Sequence, residues 1–306
     1  MSPKCDAVLI AGFGGPTRAD EVRPFLDNVL RGRPMPRERY EEVVHHYEVL
    51  GGKSPYNELT MRQAEAVRES LRAKNIEVPI SVGMRNWKPY IGNALRDLAD
   101  AGARRVLGFI MAAHRSEASW ERYQATIEEA RDALGSSAPT IEYPAPWHNH
   151  PLFIAATASR VRDAYARLDA AARSRARLVF TAHSIPVAMA ENSKYVEQLT
   201  ESARLVANEL GVASWSLAYQ SRSGSPRDRW LEPAIGDVLH NLDSDAAVVV
   251  PIGFNCDHVE VLYDLDVEAA QIARDAGVTM ERAQTVGDHP QFIEMIASIV
   301  SAHVTN

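Results

Sequence analysis

Three carboxylates spaced by four residues, Glu260, Asp264 and Glu268, follow a histidine, His258. They lie beyond an apolar run at 246–252, the kind that forms a strand buried on both faces. A turn at 253–256 leads to a helix that Asp257 is placed to cap and Gly277 to end. On such a helix the i, i+4, i+8 spacing sets the carboxylates in one row, about 6 Å apart between neighbours. Like charges so placed cost a helix roughly a few tenths of a kcal/mol per pair, and something must offset that. A moving cation would do so, since carboxylate and imidazole suit Fe, Zn, Mg and Mn. The competing reading is a solvated acidic face. A second stretch favours the cation: in LVFTAHSIP (178–186) an apolar strand delivers His183 at its C-terminal end. Ligands of open α/β sheets bind at that end.

The elements that must hold these groups alternate along the chain. Strands are predicted at 7–11, 80–84, 106–111, 140–143, 178–181, 215–219, 246–252 and 279–283. Helices are predicted at 20–30, 36–50, 59–74, 90–101, 119–134, 151–172, 191–210, 233–242, 257–276 and 290–304, with Asn149 and Pro151 as an N-cap and N1 pair. This alternation implies an α/β fold, parallel sheets covered by helices on both faces. The halves echo each other. VLIAGFGGP, ending at Pro16, can be laid on LVFTAHSIP, ending at Pro186, which sets Phe13 opposite His183. The loop carrying His114 then falls opposite the loop carrying His258 and Glu260. Two similar lobes with strand ends facing one cleft would follow, and such a cleft is a common ligand site.

Composition narrows the class. The 306 residues can bury a sizeable core, and 46% apolar with 24% charged residues is ordinary for a soluble globular protein. A net charge of −7 argues against nucleic acid, which needs a basic face. No apolar run reaches the ~18 residues of a membrane span. The N-terminus lacks signal-peptide architecture. Cys5 and Cys256 form no CxxC pair, and a reducing cytoplasm is the simple inference.

Other motifs are weaker singly. Gly12-Phe13-Gly14-Gly15-Pro16 hints at a phosphate turn but is not GxGxxG. His45-His46 reads as helix surface, and His150 as part of a helix cap. Arg31 and Arg33, flanking Gly32, could hold ligand carboxylates bidentately, and Ser54 in a Gly-Gly-Lys-Ser-Pro turn could assist. Met84-Arg85-Asn86-Trp87 and Tyr219-Gln220-Ser221-Arg222-Ser223-Gly224 each end a strand with an unusual polar group. Their shared address at strand C-terminal ends is the stronger observation.

GFGGP, EVRPFLDNVLRGR, HYEVLGGKSPYNE, GMRNWKPY, TAHSIP, YQSRSG and PIGFNCDHVEVLYDLDVE, in that order, resemble the ferrochelatase family, which inserts Fe²⁺ into porphyrins, and most resemble its soluble bacterial coproporphyrin members. The resemblance spans residues 12–268, with GDHPQFIEMI also familiar. It implies two Rossmann-like lobes, each a parallel four-stranded sheet flanked by helices, with a porphyrin cleft between them. The first lobe would be 1–135 with the C-terminal helix returning to it (285–306), the second 136–284. By the same resemblance His183 and Glu260 are the active-site pair and metal donors, and Asp264 and Glu268 an acidic path. Phe13, where many members place a tyrosine, would stack on the macrocycle. His114, Arg31, Ser54 and Tyr123 would line the cleft.

The residues suit that chemistry. Metalation removes two pyrrole protons, and a neutral imidazole, ordinary pKa about 6.5, can accept a proton or bind the metal. A nearby carboxylate makes it a stronger base. Either His183 takes pyrrole protons or it presents Fe²⁺, with Glu260 assisting. The lip at 31–47 is short and charged, unlike the longer apolar lip of members that use protoporphyrin at a membrane. That favours coproporphyrin III, giving coproheme, over protoporphyrin IX. Iron is expected as substrate, with no [2Fe–2S] cluster. A monomer is expected, cytoplasmic, served by a transient iron donor or a haem-pathway enzyme. The alternatives are a cobalt or nickel tetrapyrrole chelatase, a non-catalytic porphyrin or haem carrier, and a periplasmic-type binding module.

Overall fold

The computed structural model describes residues 4–223 and 228–304. Gly224, the end of the second strand-end motif, and the outermost residues of the expected first lobe lie outside them.

Two four-stranded parallel sheets form the frame, ordered β2-β1-β3-β4 and β6-β5-β7-β8. The first comprises β1 (Ala7–Gly12), β2 (Ile80–Met84), β3 (Arg105–Ile110) and β4 (Thr140–Glu142). The second comprises β5 (Arg177–His183), β6 (Trp215–Gln220), β7 (Ala246–Val250) and β8 (Thr279–Arg282). Every residue of β1 (AVLIAG) and of β7 (AAVVV) is buried, as helices on both faces require of parallel strands. Val8 pairs with Ile80 and Ala7 with Val106, so β1 runs inside its sheet; β5 does the same between β6 and β7.

The helices are α1 (Val22–Leu30), α2 (Arg37–Val49), α3 (Tyr56–Arg72), α4 (Ile91–Asp100), α5 (Arg122–Leu134), α6 (Pro151–Arg167), α7 (Ala170–Arg175), α8 (Val187–Glu191), α9 (Tyr195–Leu210), α10 (Ile235–His240), α11 (Val259–Tyr263), α12 (Ala270–Asp275) and α13 (Pro290–His303). The echo between halves is visible in three dimensions. Phe13 follows β1 directly and His183 ends β5, the equivalent strand. The loops after β2 and β6 close alike: the Met84 N–H donates to the Pro89 carbonyl (2.6 Å) and the Tyr219 N–H to the Pro233 carbonyl (2.9 Å).

Several expectations are corrected. β4 pairs with β3, so a boundary after residue 135 falls too early; the first sheet extends through Glu142. The helix expected at 151–172 breaks at the extended Leu168, and Asp169 caps α7 by accepting from the Ala172 N–H (2.8 Å). His150 rather than Asn149 caps α6, its Nδ1 accepting from the Leu152 N–H (3.2 Å). Asn149 instead donates to Glu201 (3.0 Å). The helix expected at 257–276 is α11 and α12 joined by a π-helical segment, Asp264–Ala269.

The C-terminal helix α13 packs against both α3 and α6. Phe292, fully buried, sets its ring 5.8 Å from Trp147 and 6.2 Å from Phe153. Glu294 accepts from Ser70 and Lys74 of the first lobe, and the Cys5 N–H donates to the His303 carbonyl (2.8 Å). Cross-links between the sheets' C-terminal ends hold them facing each other. Gln63 donates to the Gly287 carbonyl (2.7 Å), and Asn255 to the Met111 carbonyl (2.8 Å).

Candidate active site

His183 closes strand β5 and is held by two hydrogen bonds. Its Nδ1–H donates to the Ser184 carbonyl at 2.6 Å, and its own carbonyl accepts from Tyr195 Oη (3.0 Å). Ser184 is fixed in turn by the Gln220 and Leu231 carbonyls (2.7 and 2.9 Å). That leaves Nε2 as the working nitrogen, 3.7 Å from Glu260 Oε1. Burial opposes a charge on His183, but the Glu260 carboxylate, the Ser184 carbonyl and Asp264 outweigh it, and the proton affinity rises. Burial likewise opposes ionisation of Glu260. His183, then His258 and Arg39, outweigh that and bring it down to about 2. The carboxylate therefore makes the imidazole a stronger base and stabilises the imidazolium it becomes on taking up a proton.

Glu260 owes its position to the start of α11. His258, not Asp257, is the N-cap: its Nδ1 accepts from the Glu260 N–H at 3.3 Å. Asp257 is taken up instead by Arg282 (3.1 Å) and the Thr285 N–H (3.2 Å). Gln220 donates to the Glu260 carbonyl (3.0 Å). The carboxylates continue along the π segment, whose i→i+5 bonding shifts them off a straight α-helical row. Asp264 is buried and its oxygen accepts from Ser221 Oγ. Burial, with Glu260 and Glu268 nearby, pushes its carboxyl up to about 7 although Ser221 pulls the other way. Glu268 is exposed, and partial desolvation and Glu42 raise it against the pull of Arg39. Proton affinity therefore rises sharply from Glu260 to Asp264, with Glu268 open to water beyond.

The opposite wall is the Gly12–Pro16 turn. Its glycines serve close packing: a Cβ on Gly15 would lie 2.7 Å from Ser54 Cβ, and Gly14 holds a φ of +90°. The Phe13 N–H donates to Tyr56 Oη (2.9 Å), whose ring lies 5.8 Å from that of His258. Tyr56 thus ties the Phe13 turn to the start of α11. The Phe13 ring, half-buried, meets Phe25 edge-on at 6.3 Å. Ser54 is buried beneath the turn and accepts from the Tyr56 N–H (3.3 Å). Arg31, in left-handed backbone at the end of α1, reaches Thr126 (3.5 Å) beside the buried Tyr123.

His114 stands apart from these. It is buried between the lobes, 3.0 Å from Ser202 Oγ on α9, and its ring meets Tyr195 edge-on at 6.5 Å. It therefore lies one layer behind His183. Burial and His148 hold it neutral, its pKa brought down to about 3.

His46 was read as surface and is not. It is buried, with its ring stacked on Tyr263 at 3.7 Å, so the lip helix α2 rests on α11 three residues from Glu260. His45 beside it is exposed; only the buried stripe of Val44 and Tyr47 distinguishes the two faces. Among the described residues no three His, Cys, Asp or Glu side chains converge as a preformed metal site, and no helix is long and apolar enough to cross a membrane.

Two parallel sheets meeting at their C-terminal ends, with a histidine–glutamate pair between them, define a two-lobed chelatase. Solved structures agree on the fold. SirB of Bacillus subtilis, with Fe³⁺, superposes with a TM-score of 0.61 at 13% identity, covering 98% of this chain and 96% of that one. CbiX, described as the terminal enzyme of siroheme biosynthesis in denitrifying bacteria, gives 0.57 at 16% identity, covering 98% and 100%. The ferrochelatase family model matches residues 5–304. A ferrochelatase of Rhodopirellula baltica is 44% identical, over 97% of this chain and 86% of that protein. Coproporphyrin III ferrochelatases of Nocardia farcinica and Mycolicibacterium paratuberculosis are 41% and 42% identical, over 98% and 96% of this chain and 88% and 87% of theirs. The chain belongs to the ferrochelatase family, enzymes of haem biosynthesis that take Fe²⁺ as substrate and form metal–nitrogen bonds.

Proposed function

We propose that this ferrochelatase inserts Fe²⁺ into coproporphyrin III, giving coproheme and releasing the two pyrrole protons. The observation that carries the chemistry is the His183 Nε2–Glu260 Oε1 pair at 3.7 Å, with Nδ1 tied to the Ser184 carbonyl. His183 takes the pyrrole protons, because the carboxylate beside it stabilises the imidazolium that results. Glu260 stays ionised and offers oxygen to the incoming metal, a role carboxylate suits. Asp264, titrating near neutrality, passes protons outward to Glu268 and water.

Phe13, held over the aromatic cluster, presents a ring on which the macrocycle can stack but no oxygen for the metal. Arg31, Ser54 and Tyr123 line the first-lobe wall, and His114 supports His183 from behind. The names borne by relatives at 38–42% identity support coproporphyrin, as does the charged sequence of α2 at the lip. In the same reading the first lobe is completed by residues 285–304 and the second runs from about 143 to 284. In this reading the enzyme acts as a monomer in the cytoplasm, receives iron from a transient donor or a haem-pathway enzyme, and uses no [2Fe–2S] cluster.

The test is anaerobic Fe²⁺ insertion with coproporphyrin III and protoporphyrin IX offered separately. Higher kcat/KM for coproporphyrin supports the reading. A preference for protoporphyrin overturns the substrate, and tight binding of both without insertion overturns the catalysis.

A further inference from the structure

Arg85 is a buried cation for which no described residue supplies an anion. It follows β2, and its N–H donates to the Gly12 carbonyl (2.9 Å), which pins it beside Phe13. The side chain is only 9% exposed, and its Nε is buried without a partner. No hydrogen bond or ion pair joins its guanidinium to any described residue. What it does meet is the face of Tyr123, 5.9 Å from the guanidinium carbon to the ring centroid.

The charges around it have its own sign. Burial above all, then Arg31, Arg122 and Arg33, bring the pKa of Arg85 down to about 10 against the pull of Tyr123. Among the described residues Arg31 reaches only the Thr126 hydroxyl and Arg33 only the Leu30 and Val29 carbonyls; Arg122 has Glu117 (3.0 Å). The contrast is Arg282, whose side chain is 13% exposed and bonded to both Asp257 and Asp266. A guanidinium buried for structure is paired here in the expected way, because one left unpaired costs several kcal/mol in order of magnitude.

We propose that Arg85 is a substrate-positioning residue whose counter-ion is a carboxylate of the porphyrin, received against the Tyr123 face at the first-lobe wall. This rests on the porphyrin reading of the site. The planar fork of a guanidinium matches a carboxylate bidentately; the Gly12 carbonyl fixes the Arg85 backbone and the Tyr123 face holds the fork before the ligand arrives. Arg31 and Arg33, also without a carboxylate partner among the described residues, add positive potential that favours an acid-rich porphyrin over a poorer one. The fold carries an unpaired charge in the free protein and gains its partner on binding.

The experiment is fluorescence titration of the metal-free protein with coproporphyrin III and with its tetramethyl ester, using wild type, Arg85→Gln and Arg85→Lys. Arg85→Gln should weaken binding of the acid about ten- to hundredfold and leave the ester unchanged, the scale of one hydrogen-bonded charge pair. Arg85→Lys, keeping the charge but not the fork, should fall between. The melting temperature of ligand-free Arg85→Gln should equal or exceed that of wild type, since an unpaired buried charge has been removed. Equal affinity of wild type and Arg85→Gln for the acid overturns the proposal. So does an equal loss for acid and ester, or a lower melting temperature in the free variant, either of which makes Arg85 a structural residue. Metalation is not needed for the reading. If wild type binds coproporphyrin but inserts no metal, the proposed reaction fails while the Arg85 contact is still decided by the titration.

Discussion

Glu260 and Asp264 are four residues apart on one helix and are driven in opposite directions. Glu260 faces His183 and His258 and is held ionised; Asp264 faces two other carboxylates in a buried setting and keeps its proton to about pH 7. Because that value lies above the ordinary 3.8, folding takes up a proton between about pH 4 and pH 7. Stability from Asp264 is therefore present at low pH and lost as pH rises through that window. Asp264→Asn should stabilise the protein at pH 8 by roughly 2 to 4 kcal/mol and change little at pH 4. Urea melts at the two pH values check this; equal effects at both would show that Asp264 does not hold a proton at neutrality. His183 and Glu260 were legible in the sequence because an apolar strand and a capped helix each deliver one group at a defined end. The contrary ionisation of Glu260 and Asp264 was not, since it depends on Ser221 and Arg39, brought near from other elements.

Among the elements, the strands were the most legible, because full burial writes itself as unbroken apolar runs such as AAVVV. The π segment DLDVEA was not, since its residues suit an α-helix equally well and only the packed helix shows the wider turn. Nor could the sequence choose between His45 and His46, neighbours in one charged helix. The structure makes His46 the point where lip helix α2 rests on α11, stacked on Tyr263. His46→Ala should cost about 1 kcal/mol in stability, the scale of one aromatic pair, and free the lip. Hydrogen exchange should quicken through α2 while α3 is unchanged; unchanged exchange in α2 would show that the stack does not hold it.

For the whole molecule, two sheets of like order face each other across one site, and α13 joins them by packing on both α3 and α6. Phe292 stands at that joint between Trp147 and Phe153. Phe292→Ala should cost about 3–5 kcal/mol, as large-to-small changes do in full burial. Urea unfolding would measure it, and a loss below 1 kcal/mol would mean that the joint is not a packed core. The echo of VLIAGFGGP and LVFTAHSIP anticipated this doubled plan; the Phe13–Tyr56–His258 bridge and the cross-links at Gln63 and Asn255 depend on distant parts of the chain meeting. The central claim is that His183, poised by Glu260, takes the pyrrole protons. Its most direct test is anaerobic metalation of coproporphyrin III by His183→Ala at saturating porphyrin, followed by absorbance, with porphyrin affinity measured in parallel. The account predicts that kcat falls at least a hundredfold, within the scale of a lost general base, while porphyrin binds as in wild type. Near-full turnover by His183→Ala would contradict it.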